Sequence, residues 1–278
     1  MNVYSSGGYN LKKPFRSEVA IALVCSAAWA APVFADTTPS AQMIIEKSVE
    51  ANHRDFIAAP RFSHHERDRV ANGSKTWEVT MIEGSPYQRL IEVNDEPISK
   101  EQAAAEEQKM KEEIANRKAE SPSERRSRIA KYEKDRNRDN AMMKQLTVAF
   151  NFKLVGKSKV NSRDVYVLKA TPKPGYQPPN METQVLTGMQ GELWIDVQTY
   201  QWVKVTAKVI HPVSIEGFLA EVEPGTQFEL EKMPVTNDIW LPKHFSMKSR
   251  AKILYLFNHS SQDDETYSDY KEIKPPSK

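Results

Sequence analysis

The stretch Gly191–Val209, GELWIDVQTYQWVKVTAKV, constrains the fold more than any other part of the chain. On its second half, Val203, Val205, Ala207 and Val209 alternate with Trp202, Lys204, Thr206 and Lys208. A period of two marks a strand with one buried and one wet face. On the first half, Leu193, Ile195 and Val197 take one side, and Glu192, Trp194 and Asp196 the other. Asp196-Val197-Gln198-Thr199-Tyr200 stands where the chain must reverse. The spacing predicts a hairpin near the middle of one large antiparallel sheet.

The first 35 residues read as an export signal, not as part of that sheet. Lys12, Lys13 and Arg16 form a positive start, an apolar run follows from Val19 to Trp29, and Val33-Phe34-Ala35 is a small-x-small cleavage pattern. The apolar run is shorter than a membrane-spanning helix requires. Cleavage after Ala35 is expected, with a periplasmic location. Cys25, the single cysteine, lies inside the run and lacks the context of an acylated cysteine. The exported chain then has no disulfide, and a hydrophobic core has to supply its stability.

The chain holds 39 basic and 37 acidic residues. The signal takes three of the basic residues and Glu18, so residues 36–278 carry equal numbers of each sign. That balance argues against nucleic acid as a partner and against a polybasic membrane patch.

Taken in order, Thr38-Pro39 predicts a helix start, and Ile44, Ile45, Val49 and Phe56 recur at helical spacing, giving a helix from about Pro39 to Asn52. Phe62 to Val93 is strand-like, with Trp77, Val79 and Met81 on one face and a turn at Gly84-Ser85-Pro86. From Ser99 to Asn140 the material changes, to 12 basic and 10 acidic residues and almost nothing apolar. Ser99 with Gln102 makes a capping box. Two charged helices are expected, over about 101–117 and 124–139, separated by Ser121-Pro122-Ser123. They form either a solvated insertion or an arm that docks a partner. Strand alternation returns at Leu146, with Val148, Phe150, Phe152 and Leu154, and continues after a turn through Val165–Ala170. Beyond the central hairpin, Phe218–Val222, Phe228–Leu230, Trp240–Met247 and Ile253–Phe257 read as short strands, and residues 274–278 as a tail. The fold class expected is α+β, mainly β: a large curved antiparallel sheet with an N-terminal helix and a charged helical insertion at 99–140, all in one domain spanning 36–273.

No signature of catalysis emerges. There is no G-x-S-x-G elbow, no phosphate-binding glycine loop and no H-E-x-x-H helix. His64 and His65 are adjacent, so on a strand they point to opposite faces and cannot share an ion. Asp263-Asp264 lies in a Ser/Asp-rich stretch read as a loop. No catalytic residue, metal or cofactor is assigned. Arg69 and Arg89 sit among alternating strand residues, as surface ion pairs or as anion contacts at the rim of a cavity. Trp77, Val79, Met81, Leu193, Ile195, Val203, Val205, Val209, Phe228 and Phe245 are either plain core or the lining of an apolar cavity.

Gly191-Glu192-Leu193-Trp194-Ile195-Asp196, followed by Thr199-Tyr200 and the valine-rich return strand, is similar to the G-x-h-W-h-D hairpin of outer-membrane lipoprotein-sorting-like proteins, where h is apolar. Ile239-Trp240-Leu241-Pro242-Lys243 resembles their later W-L-P strand. The chain thus resembles the periplasmic lipoprotein-localisation superfamily that includes the carrier LolA, the receptor LolB and the sensor RseB. The insertion at 99–140, with Pro86-Tyr87-Gln88-Arg89-Leu90, looks like a secreted subgroup of it. The resemblance implies a half-barrel sheet closed by helices and a cavity for acyl chains or a lipoprotein segment. It makes lipid, a lipoprotein or an envelope protein the expected partner. A second reading is an envelope interaction or sensing protein that docks through 99–140.

Overall fold

In the computed structural model, which describes residues 38–70, 72–215, 220–253 and 257–273, the first helix runs longer than its apolar spacing suggests. The export signal lies outside the described residues, as do Phe218 and the 274–278 tail. Helix α1 spans Ala41–Ala58, and its N-cap is Ser40, whose Oγ accepts the Met43 amide at 3.1 Å. Ser40 displaces Thr38 because it stands three residues before a free amide. The helix passes Asn52, which turns inward and donates from Nδ2 to the Ser48 carbonyl at 2.8 Å. A single 3-10 turn with Pro60 ends it.

The strands that follow are β1 (Phe62–Val70), β2 (Gly73–Ile82), β3 (Ser85–Val93) and the short β4 (Glu96–Pro97). Helices α2 (Lys100–Ala119) and α3 (Pro122–Ala149) come next, and then β5 (Phe150–Val160), β6 (Arg163–Pro172), β7 (Met189–Asp196) and β8 (Trp202–Val209). Two short strands, β9 (Val213–Ile215) and β10 (Ala220–Val222), precede β11 (Gln227–Pro234), β12 (Trp240–Ile253) and β13 (Phe257–Glu272). All belong to one open sheet of 13 strands whose ladders are antiparallel, in the order β4-β3-β2-β1-β13-β12-β11-β8-β7-β6-β5, with β9 and β10 attached beside β12. The class is α+β, dominated by a large curved sheet that does not close.

Strand β13 joins the N-terminal strands to the rest, and it is the element the sequence hides. Its residues NHSSQDDETYSDYKE carry no apolar alternation, so Asp263 and Asp264 were expected in a loop. They lie instead in a strand of 16 residues, paired on one side with β12 and on the other with β1. Backbone pairing on both edges holds a strand whose side chains alone would not specify it. Of the short strand expected over Ile253–Phe257, Ile253 ends β12 and Phe257 begins β13, and residues 254–256 lie outside the described residues.

Two helix ends differ from expectation in the same direction. Ser121 is the N-cap of α3, in a full capping box with Glu124, and Pro122 occupies the first turn. Helix α3 then runs 28 residues to Ala149. The alternation at Leu146 and Val148 was expected to be strand and is helix, because Met142, Met143, Leu146 and Ala149 pack on the core at helical spacing. The 99–140 insertion is not free of the sheet. Arg117 is 7 % exposed, and its Nη1 donates to the Ile82 and Ser85 carbonyls at 2.9 Å each and to Ser85 Oγ at 3.1 Å. Its Nη2 reaches the Pro86 carbonyl, and Nε pairs with Glu113. Arg128 adds Ser85 Oγ and the Glu83 carbonyl, and is held bidentately by Glu120. Five-donor guanidinium forks suit this cluster of carbonyls better than an ammonium would. Arg136 lies over the Phe56 ring at 4.2 Å, tying α3 to α1.

Arg117→Ala removes the guanidinium donors from the Ile82, Ser85 and Pro86 carbonyls. We expect unfolding free energy to fall by about 2–3 kcal/mol in urea titration, with Arg117→Lys recovering only part of the loss.

Candidate binding surfaces of the sheet

One cross-strand row shows how the sheet divides. Leu154, Leu168, Leu193, Val205, Leu230 and Phe245 stand opposite one another from β5 to β12. The row continues as Glu265, Asp68 and Lys75 on β13, β1 and β2. Residues directly opposed in antiparallel strands share a face. Along this row the face is apolar from β5 to β12 and charged from β13 to β2, while Trp77, Val79 and Met81 stand further along β2 on the same face.

Helix α1 and the end of α3 cover the apolar half. Ile44 and Ile45 are fully buried against Leu168, Leu193, Ile195, Trp202, Val205 and Val209. Each isoleucine contributes about 1.5–3 kcal/mol of burial. The helix also carries a polar stripe, Ser48, Asn52 and Asp55, that points the same way and is equally buried. Every member finds a partner. Trp202 Nε1 donates to Ser48 Oγ at 3.2 Å. Lys232 Nζ reaches Asn52 Oδ1 at 2.7 Å and Asp55 Oδ2 at 2.5 Å. Asp55 Oδ1 accepts the Trp240 amide and Gln201 Nε2, both at 3.0 Å. Burial pushes the Lys232 ammonium below its ordinary pKa, against the opposing pull of Asp55.

The residues named from sequence do not share one surface. Leu193, Ile195, Val205 and Val209 lie in the main core, and Phe228 packs partly against it. Val203 lies in a different cluster, with Val165 and Trp240. A bulge is the cause: Trp194 pairs with Lys204 but Ile195 pairs with Trp202, so Val203 is the extra residue and Trp202 takes the core-facing position. Val79 is buried on β2, while Trp77, Met81 and Phe245 are only partly covered. Arg89 is bound by Glu78 at 2.5 Å and by Glu107 of α2 at 3.3 Å. Arg69 is exposed near the end of β1 and lines a shallow open cavity with Arg67 and Asp95. The polar stripe on α1 went unnoticed in sequence, although Ser48, Asn52 and Asp55 recur at helical spacing on the side of Ile44 and Ile45.

The charged half of the row has its own electrostatics. Asp68 Oδ1 is buried without a hydrogen-bond partner. Its carboxyl is pushed up from 3.8 to about 6, first by desolvation and then by Glu66, Glu265 and Asp263. Tyr267 donates to Glu265, and burial with that bond raises its hydroxyl pKa. The His64 ring packs 5.3 Å from Tyr270 and 5.8 Å from Tyr267. Among the described residues, no group of three His, Cys, Asp or Glu is placed to hold a metal ion, and no helix is long and apolar enough to cross a membrane.

The opposite face of the sheet holds the smaller Val165, Val203 and Trp240 cluster, with Val167 and Trp194 against it, and beside that cluster it bears an open, polar-lined trough of about 700 Å³. Two rows floor it. One runs Lys169, Glu192, Thr206, Glu229, Ser246 and Asp264, and the next Gln190, Lys208, Gln227, Lys248 and Gln262, each residue opposite the one before. Gly191 lies between the rows on the other face, where an added Cβ would come within 2.5 Å of the Thr206 carbonyl oxygen.

No protein-family model matches the chain, and no curated protein matches it. Solved structures do resemble it. A LolA superfamily protein from Nitrosomonas europaea is 14 % identical, with 86 % of this chain and 96 % of that one covered at a TM-score of 0.32. A putative outer membrane lipoprotein-sorting protein domain from Vibrio parahaemolyticus is 13 % identical, with 82 % and 92 % covered at 0.32. A chain of the Pseudomonas aeruginosa MucA/MucB complex is 12 % identical, with 82 % and 92 % covered at 0.23.

Two outcomes follow from the buried charges. Lys232→Met strands the Asp55 carboxylate, and a loss of about 3 kcal/mol is expected, much of it recovered in the double variant Asp55→Asn/Lys232→Met, as a double-mutant cycle would show. For Asp68 the folded state holds its proton to higher pH than the unfolded chain does. Its cost is absent below about pH 4 and develops as pH rises towards 6. Asp68→Asn should therefore stabilise the protein by about 1 kcal/mol at pH 7, the group being partly hydrated, and should flatten the stability profile between those values.

Proposed function

We propose that the protein is an exported binding module of the cell envelope, a carrier rather than an enzyme. It takes an acyl chain, free or attached to a lipoprotein segment, against the helix-covered face of its sheet. One observation carries the reading. The apolar rows outrun the helices: Phe228, Leu230, Phe245 and Met247 continue the core-facing rows across β11 and β12 but remain only partly covered. Burying such surface against a chain of methylenes stabilises a complex by about 0.8 kcal/mol per CH₂. The acids Asp263 and Glu265 on β13 bound this strip and give it a polar margin. Trp77 and Met81 on β2 belong to the far wall.

The helical pair at 99–140 is read as a brace for the β2–β3 turn. Its clasp through Arg117 and Arg128 favours that role over a mobile docking arm.

The test is direct. Protein isolated from the periplasm without detergent should release an acyl-bearing amphiphile on organic extraction, seen by mass spectrometry. Phe245→Asp with Met247→Asp should lower the bound amount about tenfold, a change of about 1.4 kcal/mol. Extracts free of amphiphile, together with no uptake of a fluorescent fatty acid by the purified protein, would remove the proposal.

A further inference from the structure

We infer that the polar face opposite the helices is a second binding surface, for a linear anionic glycan. The trough crosses the strands, and its side chains come from five neighbouring strands, β6, β7, β8, β11 and β12, and from β13 at one end. Lys169, Lys208 and Lys248 stand on every second strand, at intervals of about 10 Å given the spacing of neighbouring strands. All three are exposed, and none has an ion-pair or hydrogen-bond partner among the described residues. Of the acids on this face, Glu229 is already held by Lys204 at 2.7 Å, and Asp264 faces His244 at 3.5 Å. Glu192 lies opposite Lys169, but on its other side Lys169 is opposed by Lys153, another exposed lysine without a partner. Like charges directly opposed in a sheet are unfavourable, and a bound anion relieves them. The unpaired charge of the trough is therefore positive although the exported chain as a whole is neutral.

The neutral groups narrow the partner. Gln190, Gln227 and Gln262 alternate with the two lysines of one row, so amides that both donate and accept separate the cations. Such a row matches a polymer of hydroxyls with a carboxylate at regular intervals. No apolar side chain points to this face within the trough: Ala207, Phe228 and Met247 occupy the alternate positions and face the helices. A peptide-binding surface would present apolar or aromatic anchors among its lining side chains; here the nearest, Val167 and Trp194, stand beyond the trough and pack against Val165, Val203 and Trp240 instead. Its flat extent and open floor suit an extended chain lying across the strands.

Polygalacturonate, dextran and poly-L-glutamate serve as probes of the full exported chain in isothermal titration at low and at physiological salt. Polygalacturonate should bind, more weakly as salt rises, and dextran should not. Lys208→Gln with Lys248→Gln should weaken that binding at least tenfold, and Lys208→Arg with Lys248→Arg should largely keep it. Both changes are at exposed positions, and circular dichroism with uptake of a fluorescent fatty acid separates lost folding or lost acyl binding from loss at the trough. Unchanged affinity in the glutamine pair, absence of polygalacturonate binding at low salt, or tighter binding of poly-L-glutamate would each overturn the assignment, the last in favour of an acidic protein partner.

Discussion

The ion pair between Asp55 and Lys232 fixes where the first helix sits, and the rest of the covered face depends on that seat. Both side chains are nearly inaccessible, at 4 % and 7 % exposure. Such a pair adds little net stability compared with well-packed apolar residues, because both ions lose their water. Its effect is geometric. Asp55 takes two further donors, from β12 and from the β7–β8 turn, so one carboxylate gathers three separate parts of the sheet. An apolar helix face tolerates sliding along the sheet by a fraction of a turn. A carboxylate with three directed partners does not. Ile44 and Ile45 supply the energy of contact, and Asp55 supplies the register.

That register decides what the sheet leaves open. With α1 in place, Leu168, Leu193 and Val205 of the cross-strand row are consumed as core. At β11 and β12 the apolar side chains Phe228, Leu230, Phe245 and Met247 stay only partly covered. At β13 the row turns acidic with Glu265, and opposite it on β1 Asp68 is held in a poorly solvated position among other carboxylates. The sheet is thus graded across its width on one face, from core, through a half-covered apolar strip, to an acidic margin. On the other face a smaller apolar cluster, Val165, Val203 and Trp240, gives way to the polar rows of the trough. Burial supplies most of the stability on the first face, and the polar rows of the second are left for solvent and partners.

How far this was legible in the sequence depends on whether local chemistry or distant pairing sets each feature. The hairpin at Gly191–Val209, the capping box at Ser99 and Gln102, and the two helices of the insertion are local, and each was readable from residues a few positions apart. The candidate apolar residues were readable as buried or half-buried in kind. Their grouping was not, because a single extra residue at Val203 turns the strand over, and no local pattern marks a bulge. Strand β13 was invisible for a related reason. Its partners, β1 and β12, lie far from each other in the chain, and its conformation is imposed by them. The two rows of the trough are equally hidden, since each takes one residue from each of several strands and appears only once the strand order is known.

The insertion shows how charge composition can mislead about burial. A segment with 12 basic and 10 acidic residues and little apolar content reads as solvated helix. Most of it is. Arg117 is the exception, with a guanidinium that has left water for three carbonyls and a hydroxyl in a turn. Glu113 one helical turn before it neutralises the charge, and such a pairing at i and i+4 looks in sequence like any of the surface pairs around it. What separates them is the tight β2–β3 turn, whose Ile82, Ser85 and Pro86 carbonyls converge on the guanidinium. A cluster of carbonyls offers a fork of donors several acceptors at once, and a helical hairpin inserted directly after β4 is placed to bring one back. On this argument the insertion persists as part of the sheet's own hydrogen bonding, and its exposed charges keep that brace soluble.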